Sequence, residues 1–230
     1  MPPLDHRKAA IALAILTFAA LGVFVAIPGI DLTVSGWFYR AEEGFWLAGN
    51  PWIEALRNGI WNLSIAVFAF SILALGFAFA RRPLLGVDAR EAGFIFLLYL
   101  LGPILLVNGV LKTYWGRARP VDVAEFGGPA AFTPPWLPAD QCVANCSFVS
   151  GEGSAATALL IAFVVLAPDA WRLLPRRAFA LYALAGATLP VAGLALRVVT
   201  GRHFLSDTVF AVLLVLALAL GLHRLLLKGR

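Results

Sequence analysis

Six stretches of this chain carry almost no charge, and each approaches or reaches the length of a membrane-crossing helix. Residues 9–27, 58–80, 92–111 and 178–196 contain no Asp, Glu, Lys or Arg, while 151–167 contains only Glu152 and 204–222 only Asp207. A helix rises ~1.5 Å per residue, so about 20 apolar residues cross a hydrocarbon layer roughly 30 Å thick. In lipid every backbone N–H and C=O must be satisfied within the protein, and runs of this length do so as helices. The expected fold class is therefore all-α, an integral membrane bundle of six transmembrane helices forming a single membrane domain over residues 1–230. With 61% hydrophobic and 13% charged residues, a soluble globular domain is excluded. The fourth stretch is short and is expected to close at Pro168-Asp169.

The formal charge of +5 could suggest nucleic acid, but the basic residues sit at the ends of apolar runs, which is the pattern of membrane orientation. The expected partner is the lipid bilayer, with no nucleic acid. Six crossings leave both termini on one side. Arg7, Lys8, Arg81, Arg82, Arg90, Arg172, Arg176, Arg177, Arg224, Lys228 and Arg230 all fall there, which makes that side cytoplasmic by the positive-inside rule. On the other side Arg40 and Arg57 are ordinary flanking charges. The remaining basic residues form two clusters, Lys112-Arg117-Arg119 and Arg197-Arg202, that break the rule together. Clustered ionisable residues at a membrane edge point to function.

Two segments outside the spans stand out. Residues 29–57 mix Trp37, Phe38, Tyr39, Trp46 and Trp52 with Asp31, Glu42, Glu43 and Glu54, as expected of a segment lying at the membrane–water interface or packing against helix ends. Residues 121–149 form a proline-bearing loop expected on the extracytoplasmic side. It holds Cys142 and Cys146, which are either a short-range disulfide or two free thiols.

Once the spans alternate, four pieces reach the same outer surface. Lys112 through Pro120 leaves the third span, Ser150-Gly151-Glu152 opens the fourth, Arg197 ends the fifth, and His203 with Asp207 begins the sixth. Asp207 follows His203 by one helical turn, so its carboxylate can fix the imidazole tautomer and leave the other nitrogen basic. Lys112, Arg119 and Arg197 suit the equatorial oxygens of a transferring phosphoryl group. Ser150 is a good N-cap, and the first N–H groups of the helix it opens make an anion site. His203 is then the nucleophile of a phosphohistidine mechanism. No metal site is apparent, because His6 and His223, the other two histidines, belong to the opposite face. Arg117 and Arg202 read as solvated, and Trp115 as an interfacial anchor.

Lys112 followed by Arg119-Pro120, then Ser150-Gly151, then Arg197, His203 and Asp207, resembles the type 2 phosphatidic acid phosphatase superfamily. Its members are membrane relatives of bacterial acid phosphatases and vanadium haloperoxidases. The resemblance covers three motifs in order across residues 112–207. It implies a phosphatase-type helical core and hydrolysis of a lipid phosphate or diphosphate without metal or other cofactor. Such a protein would sit in a bacterial inner (plasma) membrane, with cytoplasmic termini and a periplasmic active site. It also implies that His203 is the nucleophile, that Asp207 orients it, and that Lys112, Arg119, Ser150, Gly151 and Arg197 hold the phosphate. Candidate substrates are polyprenyl diphosphate, phosphatidylglycerophosphate, phosphatidic acid and lipid A phosphate. The alternatives are a lipid phosphotransferase and an inactive lipid-binding relative. The second motif departs from the family pattern, because Glu152 stands where a histidine usually protonates the leaving group. Glu152 is either a substitute acid or a ligand for a substrate hydroxyl or amide. Weak acid help would favour good leaving groups, a diphosphate or an anomeric sugar phosphate.

Overall fold

The structure is a computed structural model that describes residues 4–228; Arg230, counted above among the basic residues of the terminal side, lies outside them. Helix α1 spans His6–Ala26 and opens on Asp5, whose carboxylate accepts from the N–H groups of Arg7 and Lys8. A short helix α2, Ile30–Gly36, and a small antiparallel ribbon, β1 (Tyr39–Arg40) with β2 (Gly44–Phe45), follow. Then come α3 (Pro51–Phe79), α4 (Ala89–Tyr114), α5 (Gly151–Leu173), α6 (Arg176–Val199) and α7 (Leu205–Leu226). Six of these, all but α2, are long and apolar enough to cross a membrane.

The helix ends follow from local chemistry more than from hydropathy. Helix α3 begins well before its apolar run because Asn50 caps it and Pro51, with φ already helical, occupies its first position. As a result, residues 51–57 of the expected interfacial segment belong to a spanning helix. Asp88 and Glu91 form a capping box at the start of α4. Helix α5 does not stop at Pro168. It runs on to Leu173, and the residue before Pro175 is where the chain turns extended, as pre-proline sterics demand. The second half of α4 is a π-helix, Leu100–Leu111, which contains Pro103. Proline removes one donor and crowds the preceding turn. The wider π turn accommodates it, and the Asn108 amide donates to the Pro103 carbonyl at 2.7 Å.

The exterior is as apolar as the interior. Ile15, Phe18, Phe79, Leu181 and Leu225 are all well exposed, and α1 buries only Phe24. Such a surface is stable against hydrocarbon and not against water. Helix α5 is central. Its small residues Ala155, Ala158 and Ala162 pack with Phe94, Ile95 and Leu98 of α4 and with Val215 and Ala219 of α7. Small residues let membrane helices approach closely, and buried hydroxyls add polar links between them. Ser64 of α3 joins the Tyr99 hydroxyl at 2.9 Å in this way.

Candidate active site

At the end of the bundle opposite the termini, a cavity of about 200 Å³ is lined by Lys112, Arg119, Gly151, Glu152, Arg197 and His203, together with Trp61, Asn108 and Asn145. The sequence-predicted cations, helix start and histidine therefore meet in one place. Ser150 and Asp207 stand behind the lining. Ser150 is fully buried as the N-cap of α5, its hydroxyl accepting from Gly153 N–H at 3.0 Å. Gly151 lies close to Asn108, where a Cβ would stand 2.9 Å from the side-chain oxygen and displace it.

Arg197 and His203 are brought side by side by a tight turn. The Arg197 carbonyl accepts from both Arg202 and His203 N–H, at 3.1 and 3.0 Å. Gly201 takes the left-handed conformation in that turn, where a Cβ would run into the Phe45 ring. Asp207 then reaches back to accept from Phe204 N–H at 2.9 Å. Its Oδ2 faces His203 Nδ1 at 3.7 Å, and the Ser147 hydroxyl bridges the two, 2.5 Å from Oδ2 and 3.5 Å from Nδ1. With Nδ1 turned toward this carboxylate, Nε2 is the ring nitrogen left for the cavity. Burial pushes the imidazole down to about 4 against the opposing pull of Asp207. The ring is thus neutral, with a free lone pair, across the neutral pH range.

The cations are poised for an anion. Arg197 is buried, and its Nε has no partner among the described residues. Burial, then the neighbouring Arg202, work against the charge on Arg119. Arg119 is aimed by the Asn145 carbonyl, which accepts from it at 2.8 Å. Orphaned donors and crowded cations of this kind are relieved by a bound phosphate.

A family model described as the PAP2 superfamily matches residues 92–229. The chain belongs to the PAP2 superfamily. Among similar proteins, the lipid A 4'-phosphatase of Francisella tularensis subsp. novicida (strain U112) is 33% identical over 200 residues, covering 85% of this chain and 86% of that one. The lipid A 4'-phosphatase of Rhizobium leguminosarum is 32% identical over 208 residues, covering 84% and 85%. The crystal structure of a transmembrane PAP2 type phosphatidylglycerolphosphate phosphatase from Bacillus subtilis superposes with a TM-score of 0.61 at 18% identity, over 98% of both chains. That likeness shows the shared fold.

Several groups around this PAP2 cavity have no place in the three motifs. Arg57 donates to Glu152 Oε1 at 2.9 Å, and Arg197 approaches the same oxygen at 3.3 Å. Read from sequence as a flanking charge, Arg57 pairs with Glu152 of the cavity lining without lining the cavity itself. Arg117 overturns the expectation of a solvated side chain: it is fully buried, with Asp207 Oδ1 at 2.6 Å and Asp31 Oδ2 at 2.8 Å. Arg202 is exposed, as expected. Trp115 is a packed side chain more than an anchor. It stacks on Phe148 at 4.7 Å and donates to the Pro135 carbonyl. Cys142 and Cys146 form a disulfide. Cys146 N–H donates to the Lys112 carbonyl at the end of α4, and the next residue, Ser147, donates its N–H to the Arg117 carbonyl beyond that end.

Proposed function

We propose that this integral membrane protein is a phosphatase that removes phosphate from a lipid head group at the extracytoplasmic membrane edge, through a phosphohistidine on His203. The observation that carries this reading is the shared cavity: one buried, neutral imidazole beside three cations and the start of α5. His203 Nε2 attacks phosphorus while Lys112, Arg119, Arg197 and the first amides of α5 hold the oxygens. Water then hydrolyses the phosphohistidine. Among the described residues no three His, Cys, Asp or Glu side chains gather as metal ligands, and the cationic lining supplies the charge stabilisation the proposed steps use.

The location rests on charge and on redox chemistry. The end bearing Arg81, Arg82, Arg176, Arg177 and Arg224 is the one the positive-inside rule assigns to the cytoplasm. The Cys142–Cys146 disulfide lies at the other end, beside the cavity, and disulfides persist in oxidising compartments such as the periplasm.

The substrate we favour is a lipid A-type glycolipid phosphate. Relatives named lipid A 4'-phosphatase cover most of the chain, and the cavity adds Trp61, Asn108, Asn145 and Glu152 to the phosphate-binding set. An aromatic face and several amide or carboxylate acceptors fit a hydroxylated sugar better than a prenyl diphosphate. A 4'-phosphate leaves as an ordinary secondary alcohol, so this choice replaces the expected preference for diphosphates and anomeric phosphates. The test is inorganic phosphate release, with EDTA present, from lipid A, undecaprenyl diphosphate, phosphatidylglycerophosphate and phosphatidic acid in detergent. Lipid A should be cleaved fastest. Faster cleavage of a glycerol phosphate overturns the sugar preference, and no release from any of them overturns the enzyme.

Two guanidinium groups approach Glu152 Oε1, Arg57 at 2.9 Å and Arg197 at 3.3 Å, a setting that suits an acceptor and an anchor for Arg197 better than a proton donor. Glu152→Gln should raise KM about tenfold and leave kcat within about threefold. Loss of a general acid would instead cut kcat by roughly 10²–10⁴. Steady-state kinetics on lipid A separate the two.

A further inference from the structure

Behind His203 and Asp207 lies a second pair of opposite charges that none of the three motifs contains. The Arg117 guanidinium is sealed from solvent between the Phe204 and Phe132 rings, 4.4 and 5.6 Å from their centroids. It donates to the Thr133 carbonyl at 2.8 Å, to Ser206 Oγ at 2.8 Å, to Asp207 Oδ1 at 2.6 Å and to Asp31 Oδ2 at 2.8 Å. Asp31 comes from α2, ahead of the stretch the family model matches. Its Oδ1 accepts from Ser206 N–H at 2.9 Å and its Oδ2 from the Ser206 hydroxyl at 2.5 Å. Asp31, Arg117, Phe204, Ser206 and Asp207 are all buried.

We propose that Asp31 is a charge-setting, positioning residue: it neutralises Arg117, so that the charge of Asp207 stays available to the His203 ring when that ring becomes cationic. The proposal rests on the phosphohistidine reading. In the first step the Nε2 lone pair forms the N–P bond, the P–O bond to the lipid breaks, and the leaving oxygen takes a proton from water. The ring keeps its Nδ1 proton and gains one positive charge. In the second step water attacks phosphorus, the N–P bond breaks, inorganic phosphate leaves with a proton released to solvent, and the ring is neutral again.

Formal charge decides what Asp31 contributes. With a neutral ring, two carboxylates and one guanidinium sum to one negative charge, and forming the phosphohistidine brings the buried cluster to neutrality. Without Asp31, Arg117 alone would cancel Asp207, and the same step would create an uncompensated buried cation. An unpaired charge costs far more in a buried site than in water. Preorganised countercharge at a developing ion is also the largest common source of catalysis. Burial raises the Asp31 carboxyl above its ordinary range, Arg117 opposes this, and Asp207 is the other charged group facing it. Three donors meet its two oxygens, one of them the Arg117 guanidinium, the geometry of a charge-assisted pair.

The test compares wild type, Asp31→Asn and the charge-balanced double variant Asp31→Asn/Arg117→Gln in full-length protein in detergent. Steady-state kinetics are read beside acid-labile, alkali-stable phosphoenzyme after rapid quench, with ³²P-labelled lipid A as the probe. Asp31→Asn should lower kcat and phosphoenzyme formation about 30-fold with KM within about twofold. The double variant, restored to one negative charge, should regain at least about fivefold of that loss. A purely structural role predicts the reverse order, the double variant being worse and KM rising in both. Should the single variant not fold, a double variant more than about 100-fold below wild type overturns the proposal. Wild-type phosphoenzyme that Asp31→Asn leaves unchanged overturns this role alone. Absence of phosphoenzyme in active wild type overturns the phosphohistidine reading with it.

Discussion

His203→Ala should lower phosphate release from lipid A by at least about 10⁴-fold, with no phosphoenzyme trapped on acid quench. The size follows from removing a covalent nucleophile rather than an aid to one. Nothing nearby can stand in for it. His6 and His223 pair with each other at 3.0 Å at the far end of the bundle, and the length of α7 separates them from His203 by about 30 Å. The proposed phosphate cup should survive the change, because Arg119 is held by Asn145 and the start of α5 by Ser150. Inorganic phosphate should therefore still inhibit photolabelling or binding of substrate with an unchanged midpoint. The pH profile of wild type carries the same information. Because burial pushes the ring down to about 4, its protonation should not cut kcat/KM until well below the ordinary histidine value, and a loss centred near 6.5 counts against this ring as the nucleophile. A residual rate within tenfold of wild type removes His203 from the mechanism.

Arg197→Ala should cost roughly 10²–10³ in kcat/KM, the range seen when a preorganised donor to a developing anion is lost. Its unpartnered Nε is the one orphaned buried donor of the cavity lining among the described residues, and its removal has two consequences. The phosphate loses a guanidinium, and Glu152 loses one of the two cations on its Oε1, leaving a carboxylate less compensated beside an anionic substrate. Arg197→Lys should recover only part of the activity, since an ammonium cannot bridge phosphate and Glu152 with the same fork of donors. The check is kcat and KM on lipid A together with the inhibition constant of inorganic phosphate, which should rise in parallel with KM. Inhibition by phosphate that is unaltered in Arg197→Ala would show that this side chain does not touch the anion.

The spans and the cup were legible in the sequence for a local reason. A spanning helix needs its own apolar residues, and Arg197, His203 and Asp207 are set by one turn and one helix start, so short spacing records their geometry. The surroundings were not legible, because they are built by contacts that spacing does not record. Arg117 meets Asp31 across 86 residues, and Arg57 meets Glu152 across 95. Nothing in either neighbourhood marks the partner, and a basic residue in a loop reads as solvated until the fold buries it. Ser147 escaped notice because its hydroxyl acts through Asp207, on another element. Pro168 misled for a different reason: a single missing N–H is tolerated near the end of a helix that its neighbours support, and the real stop is the extended residue before Pro175.

The wide turn around Pro103 sets a constraint of another kind. In residues 100–111 each backbone bond skips one position more than in an ordinary helix, so the angular phase of Lys112 depends on how many residues precede it, and less on which they are. Dropping any one of them would rotate Lys112 by roughly a quarter turn around the helix axis and carry its ammonium out of the cavity lining. On the mechanism proposed above, one apolar side chain can replace another along this stretch with little consequence, while the number of residues in it cannot change.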